Sequence, residues 1–255
     1  MGAGKKQGVT GMILYAIGAM ALATANVPAA AQAQQGWPAQ AITASRFDSQ
    51  LMAFAQINRS AKREPVGTLF IGSSSIRLWN VKADFASYRP INHGFGGATV
   101  RDVLANYDLL TANYEPQSII IYVGENDIVQ GRDASAVAQD VIALLSQLHE
   151  DFPKTRIIVL SMKSSPARWG WRSAFELANR EILLQSSATG AFDYVDVSAS
   201  LMRDEDEPDP DCFRADGVHL SALGYQRWRK IIDSYLPHQE DIAPIALKTG
   251  LISPR

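Results

Sequence analysis

The stretch Thr68-Leu69-Phe70-Ile71-Gly72-Ser73-Ser74-Ser75-Ile76-Arg77-Leu78-Trp79 decides how the chain is read. A short uncharged run, mostly apolar, lies between Gly67 and Gly72, the pattern of a strand buried in a parallel sheet. Three serines follow, and then what reads as the start of a helix. A turn at the carboxyl end of such a strand sits where open α/β sheets bind ligands. Ser74 is therefore a candidate nucleophile. A serine-rich helix cap is the competing reading of this stretch taken by itself.

The same unit repeats outward from there. Residues 89–92, 118–123, 156–160 and 192–197 read as further strands, the clearest being Ser118-Ile119-Ile120-Ile121-Tyr122-Val123. Helical spacing of apolar residues marks 47–59 (Phe47, Leu51, Phe54, Ile57) and 134–151 (Val137, Val141, Leu144, Leu148), the latter stopped by Pro153. Residues 100–110, 171–187 and 221–235 also read as helices. Strands that alternate with helices predict an α/β fold. The expected architecture is flavodoxin-like: three α/β/α layers around a five-stranded parallel sheet in the order 2-1-3-4-5.

The 255 residues are 47% hydrophobic and 20% charged, enough for one domain with a sizeable core. The 24 Lys and Arg nearly balance 26 Asp and Glu, which argues against nucleic acid as the main partner. One cysteine, Cys212, excludes an internal disulfide and a Cys-rich zinc site. Residues 1–33 have the layout of a secretory signal peptide. Lys5 and Lys6 precede an apolar stretch over 12–25, and Ala31-Gln32-Ala33 offers a cleavage site. Gly18, Thr24, Asn26 and Pro28 interrupt the apolar stretch, which makes it a poor membrane anchor. The expectation is one domain over 34–255, periplasmic or secreted, with no stable membrane span after cleavage. Loss of Lys5 and Lys6 would leave a net charge of 22 − 26 = −4.

Reactive side chains gather beyond the carboxyl ends of the expected strands. Ser74 follows the first, Gly97 the second, Asn126 the third, and Asp216 with His219 the fifth. A serine hydroxyl needs a base, and His219 is suited to take its proton. Asp216, three residues earlier, would hold the other ring nitrogen and set the tautomer. The backbone N–H groups of Ser74 and Gly97 and the side-chain amide of Asn126 would receive an oxyanion.

Four blocks in order then resemble the SGNH or GDSL-type hydrolases. They are Gly72-Ser73-Ser74-Ser75, Asn92-His93-Gly94-Phe95-Gly96-Gly97, Gly124-Glu125-Asn126-Asp127 and Asp216-Gly217-Val218-His219. The resemblance implies Ser74 as nucleophile, Gly97 and Asn126 in the oxyanion hole, and Asp216 with His219 completing a triad. It implies a cofactor-free esterase acting on a small-molecule or polysaccharide ester through an acyl-enzyme. Ser73 stands where the family has aspartate. The Gly-x-Ser-x-Gly elbow of α/β-hydrolases is absent, because position 76 is isoleucine.

Other features are less specific. Gly94-Phe95-Gly96-Gly97 lacks the full dinucleotide fingerprint. The acidic run over 204–211 reads as a solvated loop; its spacing fits no EF-hand. The stretch 163–172 follows the fourth strand, and its Arg168 and Trp169 are candidates for a substrate wall, against a plain packing loop. Arg77, Lys163, Arg172, Trp79 and Trp171 belong to loops expected to line the crevice. Tryptophan faces among cations favour a short acyl group on a polar alcohol such as an acetylated sugar. Rival readings are a lysophospholipase or thioesterase on the same site, and a non-catalytic carbohydrate- or envelope-binding domain.

Overall fold

In a computed structural model, Met1 and residues 47–60, 64–112, 114–204 and 206–237 are described. Apart from Met1, the stretch over 1–33 expected to be a signal peptide lies outside these residues, as do its expected cleavage site and the tail after Pro237.

The chain runs α1 (Asp48–Ser60), β1 (Glu64–Gly72), α2 (Ser74–Arg77), α3 (Val81–Asp84), β2 (Pro90–Gly94), α4 (Val100–Ala105), α5 (Tyr107–Thr111) and β3 (Tyr114–Tyr122). It continues through α6 (Glu125–Val129), α7 (Ala134–Asp151), β4 (Arg156–Leu160), α8 (Arg172–Thr189) and β5 (Asp193–Val195). A small hairpin, β6 (Met202–Asp204) with β7 (Glu207–Pro208), precedes the closing helix α9 (Ala222–Ile232). The five-stranded sheet has the order β2-β1-β3-β4-β5, and every pairing in it is parallel. This is the expected α/β architecture.

Alternation along the strands sends side chains to two cores. Leu69, Ile71, Ile119, Ile121, Ile157 and Val159 face one, with Val137, Val141, Leu144, Leu148 of α7 and Phe175, Ala178, Ile182 of α8. Phe70, Ile120, Tyr122, Ile158 and Leu160 face the other, with Trp79, Phe85 and the α9 residues Tyr225, Trp228 and Ile232. Each fully buried large side chain contributes roughly 1.5–3 kcal/mol. Helices cover both faces, and because all five strands are parallel their carboxyl ends open at one edge.

Local chemistry accounts for where the elements differ from expectation. The helix expected over 100–110 breaks at Asn106, which leaves the helical region (φ −114°, ψ 16°) and turns its amide back to the Asp102 carbonyl at 2.8 Å. Residues 93 and 94, expected in a loop, extend β2, and His93 is buried there. Burial holds the His93 imidazole below its ordinary value, and one ring nitrogen lies 2.9 Å from the Leu110 carbonyl. The acidic run is a hairpin and a 3-10 turn instead of an open loop, and arginines meet its carboxylates. Arg172 reaches Asp206 at 2.8 Å and Arg227 reaches Asp209 at 2.7 Å.

Candidate active site

Gly72 ends β1 with φ +143°, and a Cβ there would lie 2.0 Å from the Tyr122 carbonyl oxygen of β3. Only glycine fits this approach. The Ser73 N–H then bonds that same carbonyl at 2.9 Å, and the chain turns at once into α2. Ser74 is the first residue of α2, where helix geometry leaves N–H groups without an intrahelical acceptor. Two supports hold this turn from behind. The Tyr225 hydroxyl donates to the Ser75 carbonyl at 2.8 Å, and the Asn92 amide donates to the carbonyls of Ile76 and Trp79.

The turn over 216–219 arrives from the far end of the sequence. One oxygen of Asp216 accepts the backbone N–H groups of Val218 and His219, each at 2.9 Å. Its other oxygen lies 2.7 Å from His219 Nδ1, and His219 Nε2 lies 2.9 Å from Ser74 Oγ. Partial desolvation works to raise the Asp216 carboxyl. The imidazole hydrogen bond and the two N–H groups outweigh it and hold the carboxyl well below the ordinary carboxylate range. The structure thus brings Ser74, His219 and Asp216 into one hydrogen-bonded line.

Gly97 lies in the turn after β2 with φ +75°. Asn126, in the first turn of α6, donates from Nδ2 to the Ala98 carbonyl at 2.9 Å, so it is pinned to the residue after Gly97. Asp127 fastens the same two loops. Its carboxylate is buried, accepts the Val100 N–H at 3.0 Å, and meets Arg132 at 3.1 Å. Desolvation raises the Asp127 carboxyl despite those partners.

The loop after β4 departs most from the sequence reading. Lys163 is not a crevice cation: it is 0% exposed, and its ammonium grips both oxygens of Glu125 at 2.9 and 3.1 Å and the Tyr122 hydroxyl at 3.1 Å. Desolvation lowers its ammonium pKa, with the Glu125 carboxylate opposing the shift. Trp79 is not a crevice wall either. It is 3% exposed, stacks on Tyr225 with ring centroids 5.1 Å apart, and donates to Asp84. Arg168 is half-buried. One nitrogen lies 3.3 Å from Glu125 and another donates to Asn126 Oδ1 at 2.9 Å. Trp169 lies under the Arg172 guanidinium, 4.7 Å from its ring centroid. The Ala167 N–H donates to the Gly217 carbonyl at 3.0 Å, so this one loop touches both the Asn126 side and the Asp216–His219 turn.

The sequence alone points to no role for Glu125, Asp127 or Tyr225, and its spacing puts Lys163 in the crevice. Glu125 and Asp127 flank Asn126 in a quoted motif, which was the available signal. Tyr225 and Lys163 had none. Among the described residues no group of three or more His, Cys, Asp or Glu side chains is placed to hold a metal ion. No helix among them is long and apolar enough to cross a membrane.

The profile of the GDSL-like lipase/acylhydrolase family matches residues 77–227. The chain belongs to that family and is an SGNH-type carboxylic ester hydrolase. Similar folds occur in several solved structures. A Streptococcus pneumonia chain provisionally described as a platelet activating factor is 24% identical, with a TM-score of 0.66 over 74% of this chain and 92% of that one. A GDSL-like lipase from Bacteroides thetaiotaomicron is 18% identical, with a TM-score of 0.63 over 72% and 96%. An acetyl xylan esterase from Geobacillus stearothermophilus is 19% identical, with a TM-score of 0.51 over 68% and 94%. No curated protein sequence matches the chain.

Proposed function

We propose that the chain is an exported serine esterase that removes short acyl groups from a polar alcohol, such as an acetylated sugar, with Ser74, His219 and Asp216 as its triad. The observation that carries this reading is the unbroken line Ser74 Oγ–His219 Nε2 and His219 Nδ1–Asp216 Oδ2, at 2.9 and 2.7 Å. In the first half-reaction His219 Nε2 takes the Ser74 proton as Oγ attacks the ester carbonyl. Asp216 holds the imidazole in the tautomer that leaves Nε2 free to accept. The carbonyl oxygen becomes an oxyanion, facing the Ser74 and Gly97 N–H groups and the Asn126 amide. His219 returns the proton to the leaving alcohol oxygen as that C–O bond breaks. Water, deprotonated by His219, then attacks the acyl-enzyme, and Ser74 regains its proton as the acid leaves.

The partly exposed triad, with the Asp216 side chain at 48%, supports a bulky polar alcohol and a short acyl group. A long acyl chain needs an apolar channel to leave water. The fold shared with an acetyl xylan esterase is consistent with this choice. Burial of Trp79 and Lys163 removes two of the residues that first suggested a sugar, leaving Trp169, Trp171 and Arg172 in the loop after β4. Export rests on Lys5, Lys6, the apolar stretch over 12–25 and Ala31-Gln32-Ala33.

A fluorophosphonate probe and a p-nitrophenyl ester series test this reading. The probe should label Ser74, and Ser74→Ala should lose both label and turnover, by about 10⁴-fold or more, while keeping its fold. Acetate and butyrate should give the highest kcat/KM, with a steep fall beyond about eight carbons. A maximum at palmitate overturns the short-chain proposal in favour of a lysophospholipase. Folded protein that takes no label is the result expected of a binding domain.

A further inference from the structure

Asn126 is held at both ends of its amide. Nδ2 donates to the Ala98 carbonyl at 2.9 Å, and Oδ1 accepts from Arg168 at 2.9 Å. A flipped amide would set its NH2 against the guanidinium and its oxygen against the carbonyl, two repulsive contacts in place of two hydrogen bonds. Arg168 is itself held by Glu125, and Glu125 by the wholly buried Lys163. A continuous chain therefore runs Lys163–Glu125–Arg168–Asn126.

We propose that Arg168 is a positioning residue for Asn126, anchored by the Lys163–Glu125 pair, and not part of the substrate wall. This rests on the reading that Asn126 donates to the oxyanion. An amide NH2 carries two hydrogens. With one committed to Ala98, the second keeps a fixed direction only while the amide plane is fixed, and Arg168 fixes it. A guanidinium on Oδ1 also draws electron density from the amide, making the remaining N–H a stronger donor. Charge points the same way. Glu125 alone beside the hole would oppose a developing negative charge. Lys163 and Arg168 neutralise that carboxylate, so the cluster can orient Asn126 without opposing the oxyanion. Its effect belongs to the transition state, where the oxyanion exists, and hardly to the ground state.

The test is steady-state kinetics on p-nitrophenyl acetate with wild type, Arg168→Met, Arg168→Lys, Asn126→Ala and the Asn126→Ala/Arg168→Met double variant. Asn126→Ala should lower kcat by about 10²–10³-fold. Arg168→Met should lower kcat by about 10–100-fold with KM within about threefold. Arg168→Lys restores the charge but cannot bridge Glu125 and Asn126 with a planar fork, so it should recover only part of the loss. In the Asn126→Ala background, Arg168→Met should cost less than about threefold. Losses that multiply in the double variant, or a rise in KM with kcat unchanged, overturn the assignment and return Arg168 to the substrate wall. If Arg168→Met fails to fold, the same kcat and KM comparison on Arg168→Lys decides. Wild-type protein that neither turns over ester nor takes the fluorophosphonate label overturns the esterase reading, and this assignment with it.

Discussion

The two flanks of the candidate site are built in opposite ways. On one flank, Asp216 and His219 belong to a single four-residue turn, and their side chains are 48% and 27% exposed. That turn orients itself: Asp216 satisfies two of its own backbone N–H groups and the imidazole. On the other flank, Glu125, Asn126, Lys163 and Arg168 come from two segments nearly forty residues apart and lean on a third at Ala98. Lys163 and Glu125 are 0% and 4% exposed. Water screens the first flank, so its charges carry little desolvation cost and contribute little to stability. The second is dry, so each of its charges depends on its partner. Function and stability should therefore separate on the first flank and travel together on the second.

Lys163→Met gives the largest expected effect on stability and the sharpest test of that contrast. It leaves Arg168 as the cation beside the buried Glu125, and should destabilise the fold by about 3–5 kcal/mol in urea unfolding. Adding Glu125→Gln should restore a substantial part, because the one charge then left without a counter-ion, Arg168, is only half-buried. A loss under about 1 kcal/mol would mean that water reaches the pair, and would erase the distinction between the flanks.

Asp216→Asn should do the reverse. Turnover should fall by about 10²-fold or more, because an amide sets the wrong imidazole tautomer. Stability at neutral pH should stay within about 1 kcal/mol of wild type. The Asp216 carboxyl is held below its ordinary ~3.9, so its contribution is present above that value and is lost as pH falls below it. The stability difference between variant and wild type should shrink accordingly in strong acid. A multi-kcal loss at pH 7 would show that the exposed turn also supports the fold.

The smallest effect is a slope, at a buried group outside both flanks. His93 packs against Phe54, with ring centroids 4.5 Å apart, and burial depresses its pKa. The unfolded chain binds a proton as pH falls through ~6.5 while the folded chain resists it, so stability is full above that value and declines below it. In His93→Gln the midpoint of urea unfolding should change less between pH 7.5 and 5 than in wild type. Equal slopes would mean that His93 gains its proton without opening the core.

Legibility in the sequence followed the same division. The continuous apolar runs Leu69-Phe70-Ile71 and Ile119-Ile120-Ile121, between helix-period segments, were enough for the buried strands, because hydrophobic patterning is local, and the order followed from the flavodoxin-like arrangement of five such units. The limits of α7 and β4 were readable for the same reason, with Pro153 marking the gap between them. The break at Asn106 was not readable, since a side chain returning to the Asp102 carbonyl competes with helix at a level periodicity does not register. Trp79 and Lys163 were misplaced for a deeper reason. A residue near the carboxyl end of a strand faces either the crevice or the core, and only the packed partners decide which.

By itself the sequence determined the α/β class, the strand order, and the four motifs that carry Ser74, Gly97, Asn126, Asp216 and His219. All of these depend on residues close together in the chain or on rules of parallel connection. Tertiary structure alone decided that Lys163 lies beneath the site and not within it, that Glu125 is its partner, and that Arg168 turns inward to Asn126. A buried charge takes its role from the group that neutralises it. Lys163 and Glu125 are brought within 3 Å only because β3 and β4 pair side by side.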